Sequence, residues 1–270
     1  MSGFAPILIR VGNAGPLTGE GNNTYLLTGD DRRGCLIDAG IGTAAHIASV
    51  EEELRLRGAA LTDVLVTHGH ADHASGAPAL RASFENVTFS KFRLAADDDA
   101  GMTWRQLSDG DRVVVSDWTL DVVHTPGHAP DHLVFWHAES RTAFTGDLVN
   151  PAGSVLIAWS RGGDLTAYLR SVERLLALEP RLLLPGHGTR VTDPIALLQA
   201  TIAHRLERHA QVLEAVRRGH DSVPAIAESI YDGLAPALMA AARENVRAHL
   251  DKLERDGLVT GTTGERWRPA

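Results

Sequence analysis

Cysteine is almost absent: Cys35 is the single one in 270 residues. One thiol cannot build a disulfide framework within the chain, and it excludes a zinc site made mainly of thiolates. Aromatic residues make up only 5% and are scattered, so no platform for stacking bases is expected. No apolar run approaches the ~18–20 residues that cross a bilayer, and no membrane association is expected. The stretch Met1 to Val11 lacks a basic start, a long apolar segment and a small-residue cleavage site. A signal peptide is therefore not expected, and with so little cysteine the expected location is cytoplasmic. A positive surplus is missing too. The formal net charge is −8; residues 1–199 hold 16 Lys+Arg against 24 Asp+Glu, and residues 200–270 hold ten of each. That balance argues against nucleic acid, whose affinity comes largely from Lys and Arg on phosphates.

What the chain has is a core and many histidines. Its hydrophobic fraction of 44% excludes disorder, and its length suits one or two domains. The first two-thirds alternates elements. Strands are expected at Ile7–Val11, Thr24–Thr28, Cys35–Asp38, Asp63–Thr67, Arg112–Val115, Thr119–Val123, Leu133–His137, Thr142–Thr145 and Leu182–Leu184. A helix is expected over Ala44–Arg57, with Ile47, Val50 and Leu54 on one face and Gly58 as its stop. Asp164 caps a second helix whose stripe is Leu165, Tyr168, Leu169, Val172, Leu175 and Leu176. The tail changes character. A long helix is expected from Asp193 to Arg218, a short one from Ser222 to near Tyr231, and another opening at Pro236 and stopping at Gly257. Leu258–Thr260 and Glu265–Trp267 flank Gly261-Thr-Thr-Gly264, a hairpin signal. Helix, helix, helix, hairpin is the order of a winged helix.

Thirteen histidines prove little by number; their spacing is the signal. The strand at Asp63–Thr67 runs into Thr67-His68-Gly69-His70-Ala71-Asp72-His73, with four ligand types in six residues. Alternate residues His68 and His70 share a face, and Asp72 and His73 turn towards a neighbouring point, so one loop can serve two adjacent cations. Three more candidates sit at strand ends, each just after a glycine: His128 in Thr-Pro-Gly-His, Asp147 in Thr-Gly-Asp, and His187 in Pro-Gly-His-Gly. Glycine lets the backbone approach a site closely. His46, His137, His204, His209, His220 and His249 read as surface or core residues. His124 and His132, near His128, are assigned hydrogen-bonding roles.

HxHxDH followed by a histidine, an aspartate and a histidine resembles the metallo-β-lactamase superfamily over about residues 7–200. The resemblance implies an α/β fold: a four-layer αβ/βα sandwich with the site at one edge between the sheets, here as a catalytic domain of residues 1–200 and a winged-helix-like domain of 201–270. It implies two divalent metal ions, zinc by default, with iron or manganese also fitting. His68, His70 and His128 would bind one ion, Asp72, His73 and His187 the second, and Asp147 would bridge them. The tail and the Pro-Gly-His-Gly motif look like the β-lactamase-like subgroup with a C-terminal winged helix, and Asn22-Asn23-Thr24-Tyr25 fits its first hairpin. Class B β-lactamases commonly carry a cysteine where Asp147 stands, so a penicillin is not expected. The glutathione-binding helical domain of glyoxalase II enzymes has no counterpart. Only 18 residues separate His128 from Asp147, which leaves no room for the domain inserted in the RNA-processing nucleases.

These readings make the protein a dinuclear metallo-hydrolase that uses a metal-bridging hydroxide on an ester, thioester or lactone, with Asp72 orienting the hydroxide or shuttling its proton. A small acyl compound is the expected substrate. Two alternatives come with the resemblance: a single-stranded RNA endonuclease, and an iron-dependent persulfide-type dioxygenase. Against RNA, Arg243, Arg247, Lys252 and Arg255 are interleaved with Glu244, Asp251, Glu254 and Asp256, the pattern of a salt-paired face. The winged tail is expected to close over the site edge or to mediate a homodimer. Substrate selection is placed in the loops Lys91–Trp104 and Leu148–Gly163. Their Arg93, Trp104, Trp159 and Arg161 read equally as pocket lining or as ordinary surface and core.

Overall fold

Side-chain alternation sets the layers. The computed structural model describes residues 4–16, 18–94, 101–262 and 266–270. The first half of the chain forms β1 (Ile7–Arg10), β2 (Asn23–Thr28), β3 (Arg33–Ile37), α1 (Ala44–Arg57), β4 (Ala60–Leu65), α2 (Ala71–Ala74), α3 (Ala77–Ser83), β5 (Thr88–Lys91) and β6 (Trp104–Gln106). The strands make one sheet in sequence order, antiparallel through β3 and parallel from β3 to β6. Leu26 and Leu36 face α1 and α3, where they meet Val50, Leu54 and Leu80. Their neighbours Tyr25, Leu27, Cys35 and Ile37 face the opposite way. A strand with apolar residues on both faces must be covered on both.

The cover is a second sheet. β7 (Arg112–Val115), β8 (Trp118–His124), β9 (Leu133–His137), β10 (Thr142–Gly146) and β11 (Leu182–Pro185) pair in the order β11-β10-β9-β8-β7, with α4 (Leu165–Ala177) crossing between β10 and β11. Leu120, Val122, Leu133, Phe135 and Phe144 fill the space between the sheets. Val123, Val134, Trp136 and Ala143 point outward to Tyr168, Leu169 and Val172 of α4. The result is the four-layer αβ/βα sandwich.

The tail comprises α5 (Pro194–Arg217), α6 (Val223–Ile230), α7 (Met239–Arg255), β12 (Val259–Thr262) and β13 (Arg266–Pro269), the winged-helix order. α5 crosses residue 200 unbroken. Its first half sends Leu198 into the core under α4, and its second half sends Val212, Ala215 and Val216 into the tail's own core. Among the described residues no helix is long and apolar enough to cross a membrane.

Local chemistry explains the helix ends. Thr43, Asp164 and Asp193 accept from the backbone N–H groups of His46, Ala167 and Ala196, and Gly58 ends α1 in the left-handed region. β4 starts and stops earlier than its apolar run: it stops at Leu65 because the Thr67 N–H donates to the Asp38 carboxylate. The short α2, α3, β5 and β6 were not anticipated by periodicity, having seven residues or fewer each. Thr263, Gly264 and Glu265 of the expected hairpin lie outside the described residues, as do residues 95–100 of the Lys91–Trp104 loop.

Phe135 is fully buried between the sheets. Phe135→Ala is expected to cost about 3–5 kcal/mol in denaturant unfolding, whereas Val114→Ala, at a side chain 60% exposed, should change stability by less than about 0.5 kcal/mol.

Candidate metal centre

The ligand-type residues all follow strand ends on one edge of the sandwich. β4 leads into His68 and His70, and α2 carries Asp72 and His73. His128, Asp147 and His187 follow β8, β10 and β11. Two glycines make the approach possible. Gly127 has φ +134°, and a Cβ there would lie 2.3 Å from the Tyr168 backbone. A Cβ on Gly186 would lie 2.6 Å from His73 Cε1 and 2.7 Å from Asp147 Oδ1.

Two groups of donor atoms result. His70 Nδ1 lies 2.9 Å from both His68 Nε2 and His128 Nε2. In the second group Asp72 Oδ2 lies 3.4 Å from His187 Nε2 and 3.6 Å from His73 Nε2. Asp147 stands between them: Oδ1 is 3.2 Å from His73 Nε2 and 3.3 Å from His187 Nε2, and Oδ2 is 3.6 Å from His128 Nε2. Within each group the donor atoms lie within 4.8 Å of one another. Asp147 Oδ1 is buried and accepts no well-formed hydrogen bond. A buried carboxylate oxygen left this way is costly, and a cation between the imidazoles would satisfy it. Imidazole and carboxylate donors suit zinc, iron or manganese.

The donors are aimed by a surrounding set of hydrogen bonds. Asp38, with φ 64°, accepts from the Thr67 backbone N–H and hydroxyl and pairs with His73 Nδ1 at 2.8 Å. Asn22 Nδ2 donates to Asp72 Oδ2 at 3.0 Å. Asp131 accepts from the Gly69 N–H. His132 Nε2 accepts from the Asp147 N–H while its Nδ1 meets Thr125 Oγ1. His124 contacts the Pro130 carbonyl and stacks on Phe92. Such outer contacts fix ring orientation and tautomer. Asp38 and Asp131 escaped the sequence reading, because an acidic residue after a strand carries no periodic signal.

The tail reaches this set. His128 Nδ1 meets the Leu156 carbonyl at 2.7 Å. Asn245 of α7 accepts from the next backbone N–H, Ile157, at 3.0 Å. The guanidinium of Arg205 on α5, which is buried, donates to the Val155 carbonyl. Residues on both flanks of Leu156 are thus held by tail helices.

Electrostatics divides the groups. Burial, reinforced by the charge of His73, keeps the His68 imidazole well below its usual range. Burial also lowers His70, and it brings His128 down to about 4. The other side is opposite. Burial would lower His187, but the nearby Asp147 and Asp72 carboxylates outweigh it and raise it to about 9. Against burial, Asp147 and Asp38 likewise raise His73 well above its usual value. Burial would raise Asp72 and Asp147, yet the imidazoles beside them hold both below the ordinary carboxylate range.

A cavity of about 630 Å³ opens beside the donors. His70, Asp72, His128, Asp147 and His187 form one wall. The Leu148–Gly163 loop contributes Val149, Leu156 and Arg161, and the tail contributes Tyr231, Leu234 and Leu238. Trp104 packs instead on Phe89 in the layer under α1 and α3.

Known proteins resemble this chain in sequence and in fold. The sequence model of the metallo-beta-lactamase superfamily matches residues 17–187, and that of the beta-lactamase associated winged helix domain matches residues 222–267. The chain is 31% identical over 258 residues to the Beta-lactamase-like protein 2 homolog of Drosophila melanogaster, across 91% of this chain and 86% of that one. It is 33% identical over 241 residues to an Atrochrysone carboxyl ACP thioesterase of Aspergillus chevalieri, across 84% of this chain and 74% of the relative. The crystal structure of a metallo-beta-lactamase family protein from Thermus thermophilus superposes with a TM-score of 0.82 at 22% identity, covering 98% of each chain.

The carboxylates favour the protonated forms of His73 and His187 at neutral pH, whereas burial favours neutral His68. A cation must displace those protons, so binding should release about two near pH 7 and tighten as pH rises towards 9. Calorimetry in buffers of different ionisation enthalpy reads the number; His187→Ala should remove about one.

Proposed function

The chain belongs to the metallo-beta-lactamase superfamily and is a hydrolase of it; from that premise we propose that it cleaves an ester, thioester or lactone of an acyl compound at a two-cation site. His68, His70 and His128 would hold one cation and Asp72, His73 and His187 the other, with Asp147 between the two groups as a shared ligand; zinc is the proposed metal. Bound there, the two ions supply Lewis acidity and lower the pKa of water towards neutrality.

The chain's own residues do the rest. Asp72 is ionised at neutral pH. Asn22 Nδ2 and His187 Nε2 both face its Oδ2. Among the described residues no side chain holds Oδ1, which is left to orient the attacking water and receive its proton. Asp38 keeps the His73 ring fixed from behind. The apolar cavity walls exclude water from the acyl group and order it beside the donors.

The cavity is the observation that carries the acyl reading. Its walls beyond the donors are largely apolar and, among the described residues, include a single arginine. A single-stranded RNA would need a basic track, and the cations of α7 are engaged elsewhere. Arg243 pairs with Glu228, Lys252 with Asp256, and Arg255 with Asp164 and Asp251. Arg247 stacks on Trp159 and Trp267. A thioesterase among the relatives points the same way.

The test is a zinc-loaded preparation assayed on an acyl thioester, an aryl ester, a lactone and a labelled single-stranded RNA. Acyl hydrolysis is expected, and Asp72→Asn should lower kcat by about 10²–10⁴-fold. Cleavage of RNA with all acyl substrates untouched would overturn the reading.

A further inference from the structure

Among the described residues, Arg161 is the one cation besides the imidazoles in the cavity wall. It is exposed, and among the described residues its guanidinium makes no hydrogen bond or ion pair. On an open surface a free arginine needs no explanation. This one lines the same cavity as the donor cluster, together with Leu234, Leu238 and Ala241.

Its backbone is held while its head group is free. Arg161 ends a 3-10 turn, Trp159–Arg161, closed by Gly162 at φ 84°. The Arg161 and Gly163 N–H groups both donate to the Ala158 carbonyl. α7 fastens the turn from outside: Glu244 accepts from the Ser160 N–H at 2.9 Å, and the Arg247 guanidinium lies 4.3 Å from the Trp159 ring centre. The tail therefore supplies apolar wall and also sets the position of the cation. A rigid base carrying an unpaired guanidinium is suited to a carboxylate, which it can take through two parallel hydrogen bonds.

We infer that Arg161 anchors a second anionic group on the substrate, so that the site prefers acyl groups carrying a carboxylate at the end away from the scissile carbonyl. The inference rests on the acyl-hydrolase reading above. The scissile carbonyl lies at the donors, the methylene or aromatic part lies along Leu234, Leu238 and Ala241, and the distal carboxylate meets Arg161. A cavity of about 630 Å³ is within the ordinary range for a small-molecule site, so such a group fits inside it.

The experiment compares thioesters of hexanoate and of hexanedioate made with the same thiol. The wild-type chain, Arg161→Gln and Arg161→Lys are used, each with its metal content measured. The wild-type should prefer the diacid. The ratio of kcat/KM, diacid over monoacid, should fall about 10–100-fold in Arg161→Gln and recover in part in Arg161→Lys. A ratio unchanged by Arg161→Gln overturns the anchor, and turnover of both thioesters then leaves the hydrolase reading standing. Binding of free hexanedioate and hexanoate is measured in parallel. Failure to cleave either thioester, with Arg161-dependent preference for free hexanedioate intact, removes thioesters from the acyl reading and supports the anchor.

Discussion

Five imidazoles and two carboxylates meet at one edge of the sandwich, and most of them are buried. Taking such groups out of water is expensive unless each is paired. The surrounding structure is organised around that cost. Asp38 spans the Thr67 backbone and the His73 ring, Asn22 holds Asp72, and His132 holds the Asp147 backbone. Asn23 and Tyr25 bind the Pro185 carbonyl, which fixes the turn before His187. Asp147 Oδ1, which faces the centre, has the His73 and His187 imidazoles at 3.2 and 3.3 Å but no well-formed hydrogen bond. Sheets position the donors, and the uncompensated part of the electrostatic cost falls at the point where a cation would relieve it.

The tail is part of this arrangement. α5 belongs to two cores at once, through Leu198 at one end and Val212 and Val216 at the other. α7 holds Ile157 and Ser160 through Asn245 and Glu244. These contacts bracket the backbone that meets His128 and carries Arg161. A module whose family name describes only a winged helix therefore forms a wall of the cavity and supports its loop.

Much of this was legible in the sequence, for physical reasons. Helices with strong caps, such as the one opening at Asp164, were readable to the residue, because one side-chain oxygen determines where the helix starts. The four layers were implied by the resemblance and not by any one strand, since a strand such as Leu133–His137 is buried throughout. The seven ligand-type residues were visible because short spacing and Gly-preceded strand ends leave a local trace, and the structure brings them together. Asp38 and Asp131 left none, since their partners are distant in sequence. The contribution of Leu234 and Leu238 to the cavity was equally hidden, as an apolar helix face reads the same whether it lines a core or a pocket. The basic residues of α7 were legible as a paired face, but their partners at Glu228 and Asp164 were not.

Anomalous diffraction from crystals of the zinc-loaded chain tests the central claim most directly. Two peaks are predicted about 3.5–4 Å apart. One should lie among His68, His70 and His128 and the other among Asp72, His73 and His187, with Asp147 reaching both. A single peak, or peaks away from these seven residues, would contradict a two-cation site and the mechanism built on it.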